Sequence, residues 1–456
     1  MKQYDAIIIG FGKGGKTLAA ELARHNWQVA VIERSEKMYG GTCINIGCIP
    51  TKTLVHQAKT ETYKPEMSFE EKKEYYRKAI EKKEEVTTLL RDKNYHNLAD
   101  NKNITVYTGI GSFLNADTVS VAMPDGTTEL KAGKIFINTG AETVLPPIKG
   151  ILNNPLVFNS TSIMELTELP RRLAIVGGGY IGLEFASIYA SFGSQVTVLE
   201  GSSELIPRED RDIAEAVKDI LESKGIRFEL NVNVQSIENT GETAEITYRN
   251  AQSGREQQLK AEAVLLATGR RPDTTGLNLE AAGVRTDERG AIIVDEYLKT
   301  TNPAIRAIGD VKGGLQFTYI SLDDYRIIRE DLFGDHSRKQ SDRNPVSYSV
   351  FIDPPLSRIG MSETEARQQG LDITVKKLAV AAIPRMLTIN ENKGLLKAVI
   401  HTPTGKILGC TLLCPESSEI INSVALAMKA GKDYTFLRDF IFTHPSMSEA
   451  FNELFH

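Results

Sequence analysis

Cysteine is scarce in this chain, which has only four among its 456 residues. That number is too small for the disulfide framework of a small secreted scaffold. Two of the four, Cys43 and Cys48, lie close together, and in a reducing compartment such a pair indicates catalysis or metal binding. Metal ligation needs further Cys or His residues nearby, and His56 is the only candidate. We therefore expect a redox pair and no metal site.

Long apolar runs are also missing, since no stretch approaches the roughly 20 apolar residues that a membrane-spanning helix requires. A basic excess is missing too, because 54 Lys and Arg residues face 59 Asp and Glu residues, which gives a net charge of -5. This balance argues against nucleic acid and anionic membranes as partners. No signal peptide precedes the strand-like run at residues 6–9, so we expect a cytoplasmic protein.

One pattern occurs twice: an apolar strand runs into a glycine turn and a helix, and a second strand follows that ends in Glu. The first glycine of such a fingerprint permits a tight turn, the second lets the backbone approach a pyrophosphate, and the third lets helix and strand pack closely. The pattern predicts two dinucleotide-binding domains. Its residues are Gly10, Gly12, Gly15 and Glu33 in the first copy and Gly177, Gly179, Gly182 and Glu200 in the second.

The glutamate of each copy can accept hydrogen bonds from ribose hydroxyls. At Glu200 a carboxylate would also repel the 2′-phosphate of NADPH. The loop that follows, residues 201–204, contains no Arg or Lys that could hold this phosphate. We therefore predict NADH rather than NADPH as the reductant.

The length of the chain suggests about three structural units. Pro146-Pro147 and the Asn/Ser-rich residues 153–162 predict one linker, residues 334–345 predict a second boundary, and residues 346–456 predict an α+β unit without a nucleotide fingerprint. The highly charged residues 65–95 predict a long solvated helix without a role in the chemistry.

Residues 40–52, Gly-Gly-Thr-Cys-Ile-Asn-Ile-Gly-Cys-Ile-Pro-Thr-Lys, are the most specific signal in the chain. Two cysteines at the start of a helix can close a small disulfide ring, and the helix N-terminus lowers the pKa of a thiol. Following an N-terminal FAD fingerprint, these residues resemble the redox motif of the class I pyridine nucleotide–disulfide oxidoreductases. That family includes glutathione reductase, dihydrolipoamide dehydrogenase and mercuric reductase.

The resemblance covers essentially the whole chain. Thr139-Gly140 and residues 267–270 resemble the crossover motifs between the nucleotide domains, residues 307–310 the second FAD motif, and residues 442–449 the C-terminal His–Glu motif. The implied fold is α/β, with two Rossmann-like dinucleotide-binding domains, for FAD and NAD(P), and a C-terminal α+β dimerisation domain. The resemblance implies an FAD domain in two parts, 1–148 and 272–345, an NAD(P) domain at 149–271 and the dimerisation domain at 346–456. The implied FAD residues are Gly10, Gly12, Gly15, Glu33, Gly41, Thr42, Lys52, Thr139, Gly140, Gly309 and Asp310. The implied NAD residues are Gly177, Gly179, Tyr180, Ile181, Gly182, Glu200, Gly269 and Arg270.

The same resemblance implies the roles of the two cysteines. Cys48 would be the flavin-proximal thiol, and Cys43 would be the distal thiol that meets the substrate. We also expect a low pKa at Cys43, since its thiolate would attack the substrate. Lys52 would lie by the flavin and pair with Glu184.

His444 would act as the acid/base, oriented by Glu449. The resemblance implies that it is supplied by the other subunit, which requires a homodimer with shared active sites. Of three departures from the family pattern, Asn138, Arg306 and Ser446, the last should matter little, and none is expected to undermine the chemistry. Cys410 and Cys414 lie in an apolar run that predicts a core strand, and we interpret them as structural.

Residues 38–41, 96–100, 314–326 and 442–449 resemble a group of bacterial reactive-chlorine-resistance flavoproteins. That group is associated with reduction of hypothiocyanous acid and of Cu(II), which implies reduction of a small oxidant in oxidative-stress defence. A dihydrolipoamide dehydrogenase-type disulfide reductase is the alternative enzyme. A non-catalytic thiol redox sensor that binds FAD and NAD is a third reading, against which the complete Cys–Cys–His–Glu set argues.

Overall fold

The structure is a computed structural model that describes residues 1–61 and 67–456. It divides into two compact units. The first contains Met1–Leu54, Lys78–Leu145 and Gly269–Arg343, and the second contains Val55–Arg77, Pro146–Thr268 and Asn344–His456. The predicted division into four segments, with boundaries after residues 148, 271 and 345, stays a prediction.

Up to residue 145 the described elements are β1 (Lys2–Ile9), α1 (Lys13–Arg24), β2 (Val29–Glu33), α2 (Thr42–Asn45), α3 (Cys48–Glu61), α4 (Phe69–Ala99), β3 (Ile104–Thr108), β4 (Ile110–Phe113), β5 (Thr118–Met123), β6 (Gly126–Ile137) and β7 (Ala141–Thr143). From there to residue 268 they are β8 (Val157–Asn159), β9 (Arg172–Val176), α5 (Tyr180–Phe192), β10 (Gln195–Glu200), α6 (Arg211–Ser223), β11 (Arg227–Leu230), β12 (Val232–Asn239), β13 (Ala244–Asn250), β14 (Glu256–Ala261) and β15 (Ala263–Leu266).

The next segment has β16 (Arg270–Pro272), β17 (Ile305–Ala307) and α7 (Thr318–Phe333). The C-terminal elements are β18 (Tyr348–Val350), β19 (Leu356–Gly360), α8 (Glu363–Gln368), β20 (Ile373–Ala379), α9 (Pro384–Thr388), β21 (Leu395–His401), β22 (Ile407–Leu413), α10 (Ser417–Lys429), α11 (Thr435–Arg438) and α12 (Ala450–Leu454).

The first unit is built on a seven-stranded sheet in the order β3-β2-β1-β6-β5-β4, with β17 also paired to β6. Strands β3, β2, β1, β6 and β17 pair in parallel, whereas β5 and β4 are antiparallel. All five residues of β2 are buried, as expected for a parallel strand that is covered on both faces. This sheet places the ends of β1, β2 and β6 at one edge, where the glycine turn lies.

The second unit contains a parallel five-stranded sheet in the order β11-β10-β9-β15-β8 and an antiparallel three-stranded sheet of β12, β13 and β14. Its C-terminal part is an antiparallel five-stranded sheet in the order β18-β19-β22-β21-β20. Helices α10 and α12 pack their apolar side chains against this sheet, in one core with Cys410 and Cys414. The predicted fold class, two Rossmann-like domains and a C-terminal α+β domain, is confirmed.

The charged segment predicted as a helix at 65–95 forms helix α4, Phe69–Ala99. Residues 65 and 66 of that prediction lie outside the described residues. In the described part of the chain, no helix has both the length and the apolar character to span a membrane.

Candidate active site

The first glycine fingerprint forms the turn between β1 and α1. Gly10 has a φ of +105°, and a Cβ atom there would lie 2.2 Å from the carbonyl oxygen of Asn138. At Gly12 a Cβ would lie 2.6 Å from Oδ1 of Asn138, and at Gly15 it would lie 3.0 Å from the carbonyl oxygen of Gly10. Side chains larger than hydrogen do not fit here, so the backbone at the start of α1 stays accessible to a phosphate group.

Glu33, the last residue of β2, reaches this turn. Its Oε2 accepts a hydrogen bond from the backbone N–H of Phe11 at 3.0 Å, and the carboxylate is almost completely buried. Burial raises the pKa of Glu33, which the hydrogen bond from Phe11 partly offsets. The acid is therefore fixed at the end of β2, where the sequence predicts a ribose.

The second FAD motif lies next to the same turn. Gly309 begins a short turn after β17, and its backbone N–H donates to Oδ2 of Asp324 at 2.7 Å. Burial raises the pKa of Asp310, and the nearby positive charge of Arg270 acts in the opposite direction. Arg270 donates to the carbonyl oxygen of Ala141 at 2.5 Å, so it lies with the predicted flavin residues in the first unit. The NAD role that the sequence assigned to Gly269 and Arg270 stays a prediction.

Asn138, one of the departures from the family pattern, joins the two FAD motifs. Its Oδ1 accepts from the N–H of Gly15 at 2.9 Å, and its Nδ2 donates to the carbonyl oxygen of Ile308 at 2.8 Å. The N–H of Gly15 is one of the donors that a helix start leaves without an intrahelical acceptor. The side chain thus satisfies the first turn of α1 and fixes the backbone that precedes Gly309.

Four further predicted FAD residues, Gly41, Thr42, Thr139 and Gly140, lie around this turn, whereas the place of Lys52 by the flavin stays a prediction. A Cβ atom at Gly41 would lie 2.6 Å from the Cα of Gly12, and one at Gly140 would lie 3.8 Å from Oγ1 of Thr42. The hydroxyl of Thr139 donates to the carbonyl oxygen of Asp273 at 2.6 Å. The redox loop and the crossover strand therefore approach the fingerprint through backbone and small side chains.

Both predicted redox cysteines are free thiols, with Cys43 half-buried in α2 and Cys48 exposed as the first residue of α3. The two side chains share a hydrogen bond. Sγ of Cys48 also lies 3.4 Å from Oγ1 of Thr318, the first residue of α7. Cys48 therefore lies at the N-termini of two helices, both of which favour a negative charge.

The electrostatics of the pair are asymmetric. The hydrogen bond from Cys43 lowers the pKa of Cys48 to about 6, with Thr318 and the charge of Lys52 acting in the same direction. The hydrogen bond to Cys48, and then burial, raise the pKa of Cys43. One proton is thus shared by the two thiols and belongs mainly to Cys43.

The expected low pKa of Cys43 was therefore wrong for the paired thiols. The helix-terminus argument applies to Cys48, which begins α3, whereas Cys43 donates its proton to the neighbouring sulfur. A further group must consequently take this proton, or offset the added charge, before Cys43 can act as a nucleophile.

Helix α4 contacts the redox loop directly. Nε of Arg91 donates to Oδ1 of Asn45 at 2.8 Å, and Nδ2 of Asn45 donates to the carbonyl oxygen of Gly41 at 2.9 Å. The rings of Tyr95 and Tyr39 stack with centroids 4.6 Å apart. The expectation that this charged helix is only a solvated surface element was wrong for its C-terminal turns.

The second fingerprint repeats the geometry of the first. Gly177 has a φ of +106°, and a Cβ at Gly182 would lie 2.0 Å from the carbonyl oxygen of Gly177. Among the described atoms, none lies within 4 Å of where a Cβ at Gly179 would stand. Oε2 of Glu200 accepts from the N–H of Gly178 at 2.5 Å, and its Oε1 accepts from the N–H of Ser202 at 2.7 Å.

Tyr180 and Ile181 are the first two residues of α5 and follow this turn. The hydroxyl of Tyr180 donates to Oε1 of Glu209 at 2.6 Å, and the hydroxyl of Tyr348 bonds to the same oxygen. Burial raises the pKa of Tyr180, which keeps its hydroxyl protonated.

His444 and Glu449 form the predicted pair. Nδ1 of His444 lies 2.7 Å from Oε2 of Glu449, and the imidazole side chain is 73% exposed. The backbone N–H of Glu449 donates to the hydroxyl oxygen of Ser446 at 3.4 Å. Serine thus supplies the same hydroxyl group as the threonine that is usual at this position in the family. Glu184 is buried in the second unit, where its Oε1 accepts from the N–H of Phe351 at 2.7 Å. Its pairing with Lys52 stays a prediction.

Comparison with known proteins decides the family. Residues 4–324 match the family profile described as pyridine nucleotide-disulphide oxidoreductase, and residues 346–455 match the dimerisation domain of the same family. The chain is a pyridine nucleotide-disulphide oxidoreductase.

Individual members of this family match along almost the whole of this chain. The chain is 52% identical to the probable pyridine nucleotide-disulfide oxidoreductase RclA of Escherichia coli (strain K12), covering 100% of this chain and 99% of the relative. It is 32% identical to a mercuric reductase of Bacillus cereus, covering 98% of this chain and 70% of the relative. It is 31% identical to a dihydrolipoyl dehydrogenase of Chlamydia trachomatis, covering 99% and 96%.

A solved structure agrees with these matches. The Cu(II) complex of the HOCl-induced flavoprotein disulfide reductase RclA from Escherichia coli superimposes with a TM-score of 0.93 at 52% identity, covering 100% of this chain and 99% of that chain. As a pyridine nucleotide-disulphide oxidoreductase, the protein is an enzyme that uses FAD and NAD(P)H and carries a dimerisation domain.

The residues present fit FAD. The glycine turn leaves room for a pyrophosphate at the start of α1, and the buried Glu33 and half-buried Asp310 are acids whose oxygens can meet hydroxyl groups. The second fingerprint, with open space at Gly179 and a fixed Glu200, fits a pyridine nucleotide in the same way. Sequence reasoning missed Asn138 as a positioning residue, and its only signal was its departure from the family pattern.

Proposed function

We propose that this oxidoreductase uses NADH to reduce a small electrophilic oxidant, such as hypothiocyanous acid, through Cys43 and Cys48 in the cytoplasm. The observation that carries the proposal is the accessible dithiol itself. Cys48 is exposed and Cys43 half-buried, and the pair already holds one thiolate at neutral pH. A thiolate is the form that attacks electrophilic sulfur or halogen.

The chemistry balances in two displacement steps. Cys43, as a thiolate, attacks the sulfur of hypothiocyanous acid, so that a bond to the thiocyanate sulfur forms and hydroxide leaves as water with a proton from His444. The Cys48 thiolate then attacks Sγ of Cys43, forms the disulfide and releases thiocyanate. Two electrons from NADH reduce the disulfide for the next cycle, and FAD, when bound, supplies the route for them.

Each side chain has a defined task in this proposal. Thr318 and Lys52 stabilise the Cys48 thiolate, and Glu449 fixes the tautomer of His444 through Nδ1. His444 is exposed in its own chain, and we propose that it completes the active site of the other subunit of a homodimer. The preference for NADH rests on the carboxylate of Glu200, which accepts from the N–H of Gly178 in the second glycine turn and is proposed to bond the ribose.

The relatives support an oxidant-defence role. The structural relative is described as HOCl-induced, and it was obtained as a Cu(II) complex. Cu(II) is therefore a second candidate substrate for this chain. The dihydrolipoamide dehydrogenase alternative rests on relatives near 31% identity, against 52% for RclA.

A substrate panel tests the proposal. Purified enzyme with NADH should give a higher kcat/KM with hypothiocyanous acid than with glutathione disulfide, lipoamide or Cu(II). Glutathione disulfide carries several carboxylates and needs positioned Arg side chains, whereas a small oxidant needs little binding surface. Cys43→Ser and Cys48→Ser should lose turnover and keep FAD, and Cys410→Ala, in the C-terminal core, should keep turnover. A kcat/KM for lipoamide or glutathione disulfide that equals or exceeds that for hypothiocyanous acid would replace oxidant defence by a disulfide reductase role.

A further inference from the structure

Lys16 lies in α1, one residue after the glycine fingerprint, and no step described so far uses it. Its Nζ donates to Oδ1 of Asn94 at 2.6 Å and to the carbonyl oxygen of Gly40 at 3.2 Å. The side chain is half-buried. Its ammonium is therefore fixed between α1, the loop that leads to Cys43, and α4.

Asn94 is itself oriented by the helix that carries it. Its Nδ2 donates to the carbonyl oxygen of Leu90, one turn earlier in α4, at 2.6 Å. That bond turns the amide oxygen of Asn94 toward Lys16. The side chain of Asn94 also lies against Gly40, where an added Cβ would be 3.3 Å from the Cβ of Asn94.

The ammonium of Lys16 is close enough to Cys43 for their charges to interact, and the interaction favours the charged form of both groups. The hydrogen bond to Cys48 raises the pKa of Cys43, and the hydrogen bond with the hydroxyl of Thr318 lowers it. The charge of Lys52 lowers the pKa of Cys48, and the charge of Cys48 helps to raise the pKa of Tyr319.

We propose that Lys16 is a positioning residue that stabilises the thiolate of Cys43, and that Asn94 holds its ammonium beside the redox loop. The proposal rests on the role of Cys43 as the thiol that attacks the substrate. Reaction requires a negative charge on Cys43 next to the Cys48 thiolate, and two like charges in one site repel each other. A fixed cation on the side of Cys43 offsets this repulsion.

The charge on Lys16 is present where it is needed. Burial lowers the pKa of Lys16 to about 8, with the charge of Lys13 acting in the same direction. The amine therefore stays mostly protonated at neutral pH, and it loses its charge as the pH rises above about 8. Lys16 belongs neither to the glycines of the two fingerprints nor to the His–Glu pair. Its charge interaction with Cys43 therefore adds a fourth group to the thiol chemistry, besides Thr318, Lys52 and His444.

The test measures the pKa of Cys43 without turnover. In FAD-loaded Cys48→Ser protein, Cys43 is the only accessible thiol, because Cys410 and Cys414 are buried and burial raises their pKa. The rate of iodoacetamide alkylation against pH gives the midpoint for Cys43. This measurement needs neither NADH nor an oxidant, so its result is independent of whether the proposed substrate is right.

We expect Lys16→Met to raise the midpoint by about one pH unit, which slows alkylation about tenfold at a fixed pH below it. Lys16→Arg should keep the midpoint, because the charge is kept. Lys13→Met, which removes a neighbouring cation from the same helix, is the matched control and should change it little. Asn94→Ala should give part of the Lys16→Met shift.

An unchanged midpoint in Lys16→Met would overturn the proposal. An equal shift in Lys16→Met and Lys16→Arg would also overturn it, since the shape of the side chain would then matter instead of its charge. Where Lys16→Met does not retain FAD, Lys16→Gln and Asn94→Ala are measured in the same way, and the same midpoints decide.

Discussion

Asn138 offers the most direct check of how the FAD site is assembled. The side chain is buried and supplies one hydrogen-bond acceptor to Gly15 and one donor to Ile308. In Asn138→Ala, both backbone groups lose this partner. A buried polar group without a partner costs about 1–3 kcal/mol, so the two together should destabilise the site by about 3 kcal/mol.

The loss of stability can be measured as the midpoint temperature of FAD release, which flavin fluorescence reports during heating. In a unit of roughly 150–250 residues, 1 kcal/mol shifts the midpoint by about 2–4 °C, so Asn138→Ala should lose about 6–12 °C. Gln28→Ala is the matched control in the same unit, because Gln28 makes an exposed side-chain hydrogen bond to Asn103 at 3.2 Å. Its loss should cost less than about 1 kcal/mol.

A shift in Asn138→Ala no larger than that in Gln28→Ala would refute the reasoning. The two hydrogen bonds would then add nothing beyond the packing of β6 against the glycine turn. FAD content at low temperature should stay near one per chain in the control, which separates a change in stability from a failure to load the cofactor.

Three further outcomes are expected. The Cys48 thiolate can be followed in the reduced enzyme by its charge-transfer absorbance with bound flavin, and this absorbance should disappear as the pH falls through about 6. Thr318→Val should raise the midpoint by about half a pH unit, because the threonine hydroxyl stabilises the thiolate. Thr53→Val should leave the midpoint unchanged, because the hydroxyl of Thr53 bonds within α3. The kcat/KM for NADH should exceed that for NADPH by about 10²-fold, and Glu200→Gln should reduce this ratio at least about tenfold. Equal use of both coenzymes by the native enzyme would show that Glu200 does not select NADH over NADPH. Subunit exchange between inactive Cys43→Ser and His444→Ala dimers should restore activity, because each mixed dimer has one intact site; no recovery after verified exchange would assign His444 to its own subunit.

The parts of the site that the sequence predicted are those in which neighbouring residues act through local backbone shape. The glycine turns and the cysteine loop belong to this class. A Cβ at Gly182 would meet Gly177 only five positions away, and one at Gly10 would meet the residue that follows the neighbouring strand β6. The fold class followed from the same repeats, since each predicts a strand, a turn and a helix in order.

The parts that could not be predicted depend on residues far apart in the chain. Asn138 bonds to groups 123 and 170 positions away, and Lys16 bonds to Asn94 across 78 positions. Nothing in the local pattern at these positions indicates the partner. The pKa of Cys43 was predicted with the wrong sign, because the helix-terminus rule treats each thiol alone, whereas these two share a proton.

The double hydrogen bonding of Glu200 has a consequence for attempts to re-engineer coenzyme preference. Its two oxygens accept from the N–H groups of Gly178 and Ser202, so the carboxylate fixes the loop at the end of β10 in addition to its proposed role toward the coenzyme. Replacing it by a short or basic side chain to admit a 2′-phosphate would leave both donors without this acceptor and loosen the turn. A redesigned NADPH-dependent variant would therefore need a second substitution that restores an acceptor at the end of β10, and the coenzyme swap becomes a coupled change of two positions.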